Sequence, residues 1–279
     1  MKFHKMNGAG NDFIIVNNLD GAYSSRNWPK IAKHLCKRRL SVGADGFMVV
    51  EPAADGGDFR MRFYNADGSE GEMCGNGARC ICRYGYEMSL AGEIQKVETA
   101  AGLVTGERIS KRMYRVKLNN PGILKPDYPI TVEGTQYMCS YVELGQPGVP
   151  HAIVPISDLK NFPSGELLEL GRSIRHHKAF PKGVNVNVYE ITGPNQVYER
   201  TFERGVEDFT YACGTGTASM AAVLTLQGKS SGHSVRVTMP GGELIVDVEC
   251  EGKEITGLYL TGPTNMVANG EITDEDLIL

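Results

Sequence analysis

Two cysteines, Cys74 and Cys213, open nearly the same phrase in the two halves of the chain: Met-Cys-Gly-Asn-Gly-Ala-Arg and Ala-Cys-Gly-Thr-Gly-Thr-Ala. Each phrase is typical of a helix start, where the positive end of the helix dipole favours a thiolate and lowers the pKa of a cysteine. The glycines that follow let backbone N–H groups converge on an anion. Two such elements predict two thiols around one small anionic substrate, as in a racemase or epimerase that needs no cofactor.

Inversion at the α-carbon of an amino acid requires a base on one face and an acid on the other. A thiolate at one cysteine and a thiol at the other would meet that need. Many racemases instead use pyridoxal phosphate on a Schiff-base lysine, but nothing in the sequence marks such a site. The alternative is that both cysteines are buried structural thiols, which is the usual environment of cysteine. The repeated helix-start setting favours catalysis.

The backbone N–H groups after each cysteine form the second predicted feature. Those of Gly75, Asn76 and Gly77, with those of Gly214, Thr215 and Gly216, are expected to hold the substrate α-carboxylate. Tight turns are the alternative reading of a single Gly-x-Gly. Because the pattern occurs twice, each time after a cysteine, it favours binding.

A zinc site is the competing interpretation of the cluster Cys74, Cys80 and Cys82. On a helix, however, steps of about 100° per residue point these three side chains in different directions. We therefore predict no metal site and expect Cys80 and Cys82 to be small core residues.

Short alternating runs predict strands that must position these residues. The predicted strands are Phe13–Val16, Phe47–Val50, Phe59–Tyr64, Tyr114–Leu118, Val184–Val188, Val197–Phe202, Val235–Val237 and Leu244–Val248. The predicted helices are about 27–37, the stretch after Cys74 to about Leu90, 166–177, and the stretch after Cys213 to about Leu226. This order predicts an α+β fold with mostly antiparallel strands. The last helix is apolar on nearly every side, so it must be enclosed.

Several further motifs accompany the cysteine phrases. They are Lys5-Met-Asn-Gly-Ala-Gly-Asn-Asp-Phe13, Gly43-Ala-Asp-Gly46, Phe63-Tyr-Asn-Ala-Asp-Gly-Ser-Glu70 and Glu203-Arg-Gly205. Together with the cysteine phrases they strongly resemble the diaminopimelate epimerase family, from the first residues to about Pro263. The resemblance implies two similar domains, each a curved, mostly antiparallel sheet wrapped around a central helix. We place one domain at 1–118 with the tail 264–279, carrying Cys74, and the other at 119–263, carrying Cys213.

The resemblance also implies a set of substrate-binding residues, since matching positions hold substrate in the family. These residues are Asn11, Asn65, Gly75, Asn76, Asn185, Glu203, Arg204, Gly214 and Thr215. Arg204 is the best candidate for the far carboxylate, because guanidinium pairs bidentately with carboxylate, and Glu203 would accept from an ammonium group. Without the motifs, the polar side chains among them would be ordinary surface residues. His151 matches a family histidine. It either supports the residues that contact substrate or is a core histidine whose hydrogen bonds are satisfied within the protein.

Two positions depart from the family pattern. Val149, in the segment Leu144–Pro150, stands where the family commonly has an asparagine that contacts the far end of the substrate. Phe209 stands where glutamate is usual, and an aromatic ring there would narrow or dry the site. Both departures concern the identity of the substrate rather than the two-thiol chemistry.

Composition limits the partners of the chain. The net charge is −4, and acidic and basic residues are interspersed along the chain, so we expect no positively charged surface that would bind nucleic acid. The N-terminus lacks a signal-peptide core and no apolar stretch approaches a membrane span, so we expect a cytoplasmic protein. Seven cysteines suit a reducing compartment rather than a disulfide framework. A homodimer is left open.

We therefore expect an isomerase that interconverts LL- and meso-diaminopimelate in lysine and peptidoglycan precursor synthesis, with no cofactor and no metal. A related racemase of another amino acid, such as histidine, is the first alternative. An isomerase or binding protein of the same fold without two-thiol catalysis is the second, although such a protein would need neither cysteine.

Overall fold

The computed structural model describes residues 1–71, 74–145 and 148–277. Contacts within the chain divide it into two compact units. The first unit comprises Met1–Val116 with Gly262–Leu279, and the second comprises Lys117–Thr261.

In the first unit, two helices accompany a set of strands. The helices are α1 (Trp28–Leu35) and α2 (Gly75–Glu87). The strands are β1 (Lys2–Gly8), β2 (Asn11–Asn17), β3 (Gly46–Glu51), β4 (Phe59–Asn65), β5 (Glu70–Gly71), β6 (Ile94–Thr99), β7 (Gly102–Arg108), β8 (Met113–Lys117) and β18 (Asn265–Glu271). Helix α1 begins where the Asn27 side chain accepts a hydrogen bond from the Lys30 N–H at 3.1 Å.

The second unit has the same kind of composition. Its helices are α3 (Ser164–Arg175) and α4 (Gly214–Leu226). Its strands are β9 (Pro121–Val132), β10 (Thr135–Leu144), β11 (Val149–Pro155), β12 (Asn185–Gly193), β13 (Gln196–Phe202), β14 (Phe209–Thr210), β15 (Val235–Met239), β16 (Gly242–Glu251) and β17 (Glu254–Pro263). The fold is α+β as predicted, and all four predicted helices are present with slightly different ends.

The two units pair their strands in the same order. In the first unit, β18, β1 and β2 pair antiparallel, β2 runs parallel to β3, β3 pairs with β4, β4 runs parallel to β6, and β6, β7 and β8 follow antiparallel. In the second unit, β9, β10 and β11 are antiparallel, β11 is parallel to β12, β12 pairs with β13, β13 is parallel to β15, and β16 and β17 follow. The prediction of two similar, mostly antiparallel halves is confirmed.

The helices occupy matching places in these topologies. A parallel pair needs a long return connection, and α1 and α3 lie in the connections from β2 to β3 and from β11 to β12. Helix α2 packs against β1, β2 and β7 of its unit, and α4 packs against β9 to β12 and β16. Nearly all of α4 is buried, as its apolar sequence predicts. Each unit therefore surrounds one helix whose first residue follows a cysteine.

The central strands of the second unit are buried on both faces, and one face carries apolar side chains while the other carries polar ones. Val154, Val186, Val188 and Phe202 pack in an apolar core with side chains of α3. Because side chains alternate along a strand, Asn187, Glu199 and Thr201 lie on the opposite face, and there Glu199 and Thr217 of α4 are hydrogen-bonded. The α4 side of the sheet therefore carries polar groups.

Candidate active site

Cys74 is the residue that precedes helix α2. Its backbone is extended, with φ −122° and ψ 122°, and its carbonyl accepts the first helical hydrogen bond from the Ala78 N–H at 2.7 Å. The N–H groups of the first turn have no acceptor within a helix. Here these groups belong to Gly75, Asn76 and Gly77, so this helix start can receive an anion.

Asn76 links this helix start to Asn11. Its Nδ2 donates to Asn11 Oδ1 at 2.5 Å, and its Oδ1 accepts from Arg79 Nη2 at 2.6 Å. Asn11 Nδ2 donates in turn to Asp45 Oδ2 at 3.3 Å. Two of the predicted substrate-binding residues, Asn11 and Asn76, are thus brought together.

Arg79 is a buried cation one turn behind Cys74. It is 0% exposed, and its Nη1 donates to Gly75 O at 3.3 Å. Burial lowers the pKa of Arg79 to about 10, while negative charge at Cys80 and Cys74 acts in the opposite direction. Since the attraction is mutual, Arg79 favours negative charge on the Cys74 sulfur.

A cluster of ion pairs supports Asn11, and it was missed in the sequence analysis. Arg38 Nη2 binds Asp12 Oδ1 at 2.5 Å and Asp45 Oδ1 at 2.8 Å, and Lys5 Nζ binds Asp12 Oδ2 at 2.8 Å. The sequence did contain a signal for this cluster, because Lys5, Asp12 and Asp45 all lie in the motifs that carry the family resemblance.

Asn65 lies at the end of β4 and is exposed. Its Nδ2 donates to Ser69 Oγ at 3.0 Å, and its N–H donates to Ser69 O at 2.9 Å. Among the described hydrogen bonds, none joins Asn65 to Asn11 or Asn76. Its role in binding remains a prediction from the motif.

Cys213 is the residue that precedes helix α4 and repeats the geometry of Cys74, with φ −127° and ψ 103°. Its Sγ lies 3.5 Å from Thr215 Oγ1. Burial raises the pKa of the Cys213 thiol well above its usual range, and the charges of Glu203 and Glu199 add to this; bonds from Thr215 and the Gly216 N–H oppose it. The expectation that the pKa of the thiol is lowered is wrong for Cys213, because burial of the sulfur outweighs the hydrogen bonds from Thr215 and the Gly216 N–H.

Asn185, Glu203 and Arg204 lie close together at the ends of β12 and β13. Asn185 Oδ1 accepts from the Arg204 N–H at 2.8 Å, and Arg204 Nη1 donates to Lys182 O at 3.2 Å. Glu203 accepts from the Thr210 hydroxyl. The Arg204 side chain is exposed, so it is available to a ligand.

A buried polar network extends from β11 to α4 and was also missed, apart from His151. His151 Nδ1 is 2.9 Å from Asn187 Oδ1, and Asn187 Nδ2 donates to Glu199 Oε1 at 2.9 Å and to Thr201 Oγ1 at 2.8 Å. Thr217 Oγ1 lies 2.6 Å from Glu199 Oε2. His151 is therefore satisfied at one ring nitrogen. In the sequence, Asn187, Glu199 and Thr201 are polar residues that alternate with apolar ones along two strands, a pattern that is also typical of solvent-exposed positions.

The two departures from the family pattern have different outcomes. Val149 starts β11 opposite Leu144 and is half-buried, while Gln146 and Pro147 of the same segment lie outside the described residues. Phe209 pairs with Phe202 in register, and the two rings pack edge to face with centroids 5.6 Å apart. Since Phe202 belongs to the core shared with α3, the Phe209 ring lies on the face away from Cys213. The expectation that it narrows the site is not supported.

A cavity in the second unit and the cysteines Cys80 and Cys82 are not part of the predicted active site. A cavity of about 610 Å³ in the second unit is lined by residues around Leu226 and Gln227, at the opposite end of α4 from Cys213, about 20 Å along the helix axis. It contains no predicted site residue. The Cys80 sulfur packs against Gly8 of β1 and the Cys82 sulfur packs against Gly106 of β7, so the two thiols contact different strands. Within 1–71, 74–145 and 148–277, no group of three or more His, Cys, Asp or Glu residues is placed to hold a metal.

Sequence comparisons give one consistent family. The family model described as "Diaminopimelate epimerase" matches residues 3–117 and 145–267. Relatives named diaminopimelate epimerase include those of Aquifex aeolicus, 36% identical over 99% of this chain and 99% of the relative, and Carboxydothermus hydrogenoformans, 37% identical over 97% of this chain and 99% of the relative. No helix in the described part of the chain is long and apolar enough to cross a membrane.

Solved structures similar to this chain share its fold at low identity. A probable proline racemase from Agrobacterium radiobacter superposes with a TM-score of 0.74 at 16% identity, covering 99% of this chain and 94% of that one. A hydroxyproline epimerase from Agrobacterium vitis gives 0.71 at 18% identity, covering 97% and 90%. A methylitaconate-delta-isomerase gives 0.66 at 13% identity, covering 97% and 95%.

Proposed function

This chain belongs to the diaminopimelate epimerase family, and we propose that it interconverts LL- and meso-2,6-diaminopimelate, a step in lysine and peptidoglycan precursor synthesis. The observation that carries the proposal is the repeated helix start, in which Cys74 precedes α2 and Cys213 precedes α4 in two units of the same topology. Each unit supplies one thiol and one set of N–H groups.

The proposed reaction uses the two sulfur atoms as base and acid. One thiolate removes the α-proton, so the C–H bond breaks, an S–H bond forms, and the electron pair passes into the α-carboxylate as enolate character. The other thiol then delivers its proton to the opposite face of the α-carbon. N–H groups of Gly75, Asn76, Gly214 and Thr215 stabilise the negative charge that develops on the carboxylate.

The surroundings of the two cysteines support different starting states. Arg79, buried behind Cys74, favours a thiolate there. Burial and the nearby carboxylate of Glu203 favour a protonated thiol at Cys213. We therefore assign Cys74 as the thiolate and Cys213 as the thiol in the substrate-free enzyme, which gives the one base and one acid that the reaction needs.

The far end of the substrate is assigned to residues held near Asn185. Arg204 is exposed and its backbone is fixed by Asn185, so its guanidinium can pair with the distal carboxylate. Glu203 would accept from the distal ammonium, and Asn11 and Asn65 complete the polar contacts. Val149 offers no hydrogen bond at this end, which is the observation that favours the alternative, a racemase of another amino acid such as histidine.

The test is incubation of the purified protein with LL-diaminopimelate in deuterated water, followed by chiral chromatography and mass spectrometry. We expect meso product with deuterium at the inverted α-carbon. L-lysine and L-histidine serve as matched substrates without a distal carboxylate. Equal or faster exchange into histidine would replace this proposal with the alternative, and no exchange into any of the three would reject both.

A further inference from the structure

Glu199 is a carboxyl group buried between a sheet and helix α4, and the proposed reaction gives it no direct role. It is 1% exposed and lies on β13, on the face that carries Asn187 and Thr201. Its Oε1 accepts from Asn187 Nδ2 at 2.9 Å, and its Oε2 lies 2.6 Å from Thr217 Oγ1. Thr217 stands in the first turn of α4, where its Oγ1 is also 2.9 Å from the carbonyl oxygen of Cys213.

Counting hydrogens indicates which form of Glu199 fits these contacts. A threonine hydroxyl carries one hydrogen, so Thr217 cannot make a full hydrogen bond to both the Glu199 carboxylate and the Cys213 carbonyl, which also accepts from the Thr217 N–H at 2.9 Å. If Glu199 is a neutral acid, its O–H donates to Thr217 Oγ1, and Thr217 donates to the Cys213 carbonyl. Every close contact is then a hydrogen bond, as expected for buried polar groups.

The same carboxyl group fixes Asn187 and, through it, His151. Asn187 Nδ2 faces two oxygen atoms, those of Glu199 and Thr201, so the amide oxygen must point to His151. His151 Nδ1, 2.9 Å from that oxygen, must carry a hydrogen. In the neutral ring, Nε2 then holds a lone pair, and Nε2 is buried without a hydrogen-bond partner among the described residues.

We propose that Glu199, as a neutral carboxylic acid, is a positioning residue for the reaction. Through Thr217 it holds the first turn of α4, which presents Cys213 and the N–H groups of Gly214 and Thr215. Through Asn187 it sets the ring tautomer of His151. The first of these effects rests on the proposed function, since it takes Cys213 as a reacting thiol, whereas the tautomer of His151 does not depend on it.

Groups on the neighbouring strands and helix are consistent with a neutral acid. Tyr189 lies directly opposite Glu199 on β12, His151 is on β11, and Cys213 precedes α4. Burial lowers the pKa of His151 to about 4, with the Arg204 charge adding to this and the bond to Asn187 opposing it, so His151 is neutral at physiological pH. Burial raises the pKa of Glu199 to about 7, against the effect of its bonds from Thr217 and Asn187. Ionisation of Glu199 would place a negative charge near Cys213 and disfavour its thiolate.

The experiment compares Glu199→Gln with Glu199→Leu in the full-length protein. Glutamine keeps the network, because its N–H donates to Thr217 and its oxygen accepts from Asn187, but it cannot ionise. Leucine has a similar size and makes no hydrogen bond. Glu190→Gln is the matched control, since Glu190 lies on β12 and bonds the N–H groups of Asp158 and Leu159 instead.

We expect Glu199→Gln to keep kcat within about threefold of the unmodified enzyme at pH 6, and Glu199→Leu to lower it about tenfold or more, because buried partners lose their bonds. Between pH 6 and pH 8.5, the ratio of kcat for Glu199→Gln to kcat for the unmodified enzyme should rise about threefold or more. The reason is that the Glu199 carboxyl group of the unmodified enzyme ionises near pH 7, whereas glutamine cannot ionise. Glu190→Gln should show a constant ratio. Equal kcat values for the glutamine and leucine variants, or a flat ratio for glutamine, would overturn the positioning role.

Nitrogen-15 NMR of the His151 ring gives a readout that does not depend on activity. We expect the Nδ1–H tautomer in the unmodified protein and in Glu199→Gln, and a mixture of tautomers in Glu199→Leu. An Nε2–H tautomer in the unmodified protein would overturn the inference even if epimerase activity is found. If no epimerase activity is found, the proposed function fails, while the tautomer still tests the network. Should Glu199→Leu fail to fold, the pH ratio of Glu199→Gln and its tautomer decide the question.

Discussion

The two units use the same strand order and the same helix start to present a cysteine, yet the surroundings of the two cysteines act on the sulfur in opposite directions. In the first unit, Arg79 lies one turn behind Cys74 and is completely buried. In the second, burial of the Cys213 sulfur and the nearby carboxylate of Glu203 raise the pKa of its thiol. One scaffold, built twice, can therefore provide a base and an acid when the residues packed around each helix start differ.

The largest expected effect tests whether both units are needed. Replacing either Cys74 or Cys213 by alanine should lower the rate of LL-to-meso conversion about 100-fold to 10,000-fold, because each face of the α-carbon loses its proton-handling group. Chiral chromatography measures the conversion. Cys250→Ala is the control, since Cys250 is an exposed thiol outside both helix starts. Near-normal turnover in either of the first two variants would show that one thiol is sufficient for inversion.

The second prediction concerns the pH dependence of stability that the buried acid of the second unit creates. The folded protein keeps the Glu199 proton up to its raised pKa of about 7, whereas the unfolded chain releases it near the ordinary 4.5. The unfolded state therefore binds fewer protons over this range, so stability falls as pH rises from 4.5 to 7, by roughly 3 kcal/mol at most.

Urea unfolding of Glu199→Gln and of the unmodified protein at pH 5, 6, 7 and 8 measures this difference. The glutamine variant should gain stability relative to the unmodified protein as pH rises, with no further gain well above pH 7. Glu190→Gln serves as the control for loss of a carboxylate on the neighbouring strand β12. A difference that is constant with pH would show that Glu199 is already ionised in the folded protein.

The third prediction sharpens the assignment of the distal pocket to the second unit. Arg204→Met should reduce the preference for diaminopimelate over lysine, measured as kcat/KM, by about tenfold to 150-fold, since a hydrogen bond to a charged group contributes about 1.5–3 kcal/mol. Arg204→Lys keeps the charge without the planar fork and should lose less. An unchanged preference in Arg204→Met would place the distal carboxylate elsewhere.

The smallest expected effect tests the first unit. Arg79→Met removes the buried cation behind Cys74 and should slow alkylation of Cys74 by iodoacetamide at pH 7 about tenfold, because the thiolate is the reactive form. Peptide mass spectrometry follows Cys74 specifically. In Glu199→Gln the Cys74 rate should stay within about twofold, as the substitution lies in the other unit. If the Arg79 variant reacts as fast as the unmodified protein, the buried cation does not distinguish the two thiols.

Elements with strong local signals were predicted well. Helix α4 was expected after Cys213 to about Leu226 and spans Gly214–Leu226, because a run of small and apolar residues after a glycine-rich start has few other structures available. Strands set by their pairing partners were missed. Strand β9 contains Pro121, Pro126 and Pro129 and pairs with β10, although proline disfavours strands, and β18 is a largely exposed segment ordered by β1.

The class of fold, the four helices and the two cysteines at helix starts could be predicted from the sequence alone, because these features depend on residue periodicity and on glycines next to each cysteine. The tertiary structure decided the charges around them. Whether a thiol is acidic depends on burial and on groups from distant parts of the chain. For Cys213 burial outweighs the helix start, and the carboxyl group of Glu199 comes near it only because β13 packs its polar face against α4.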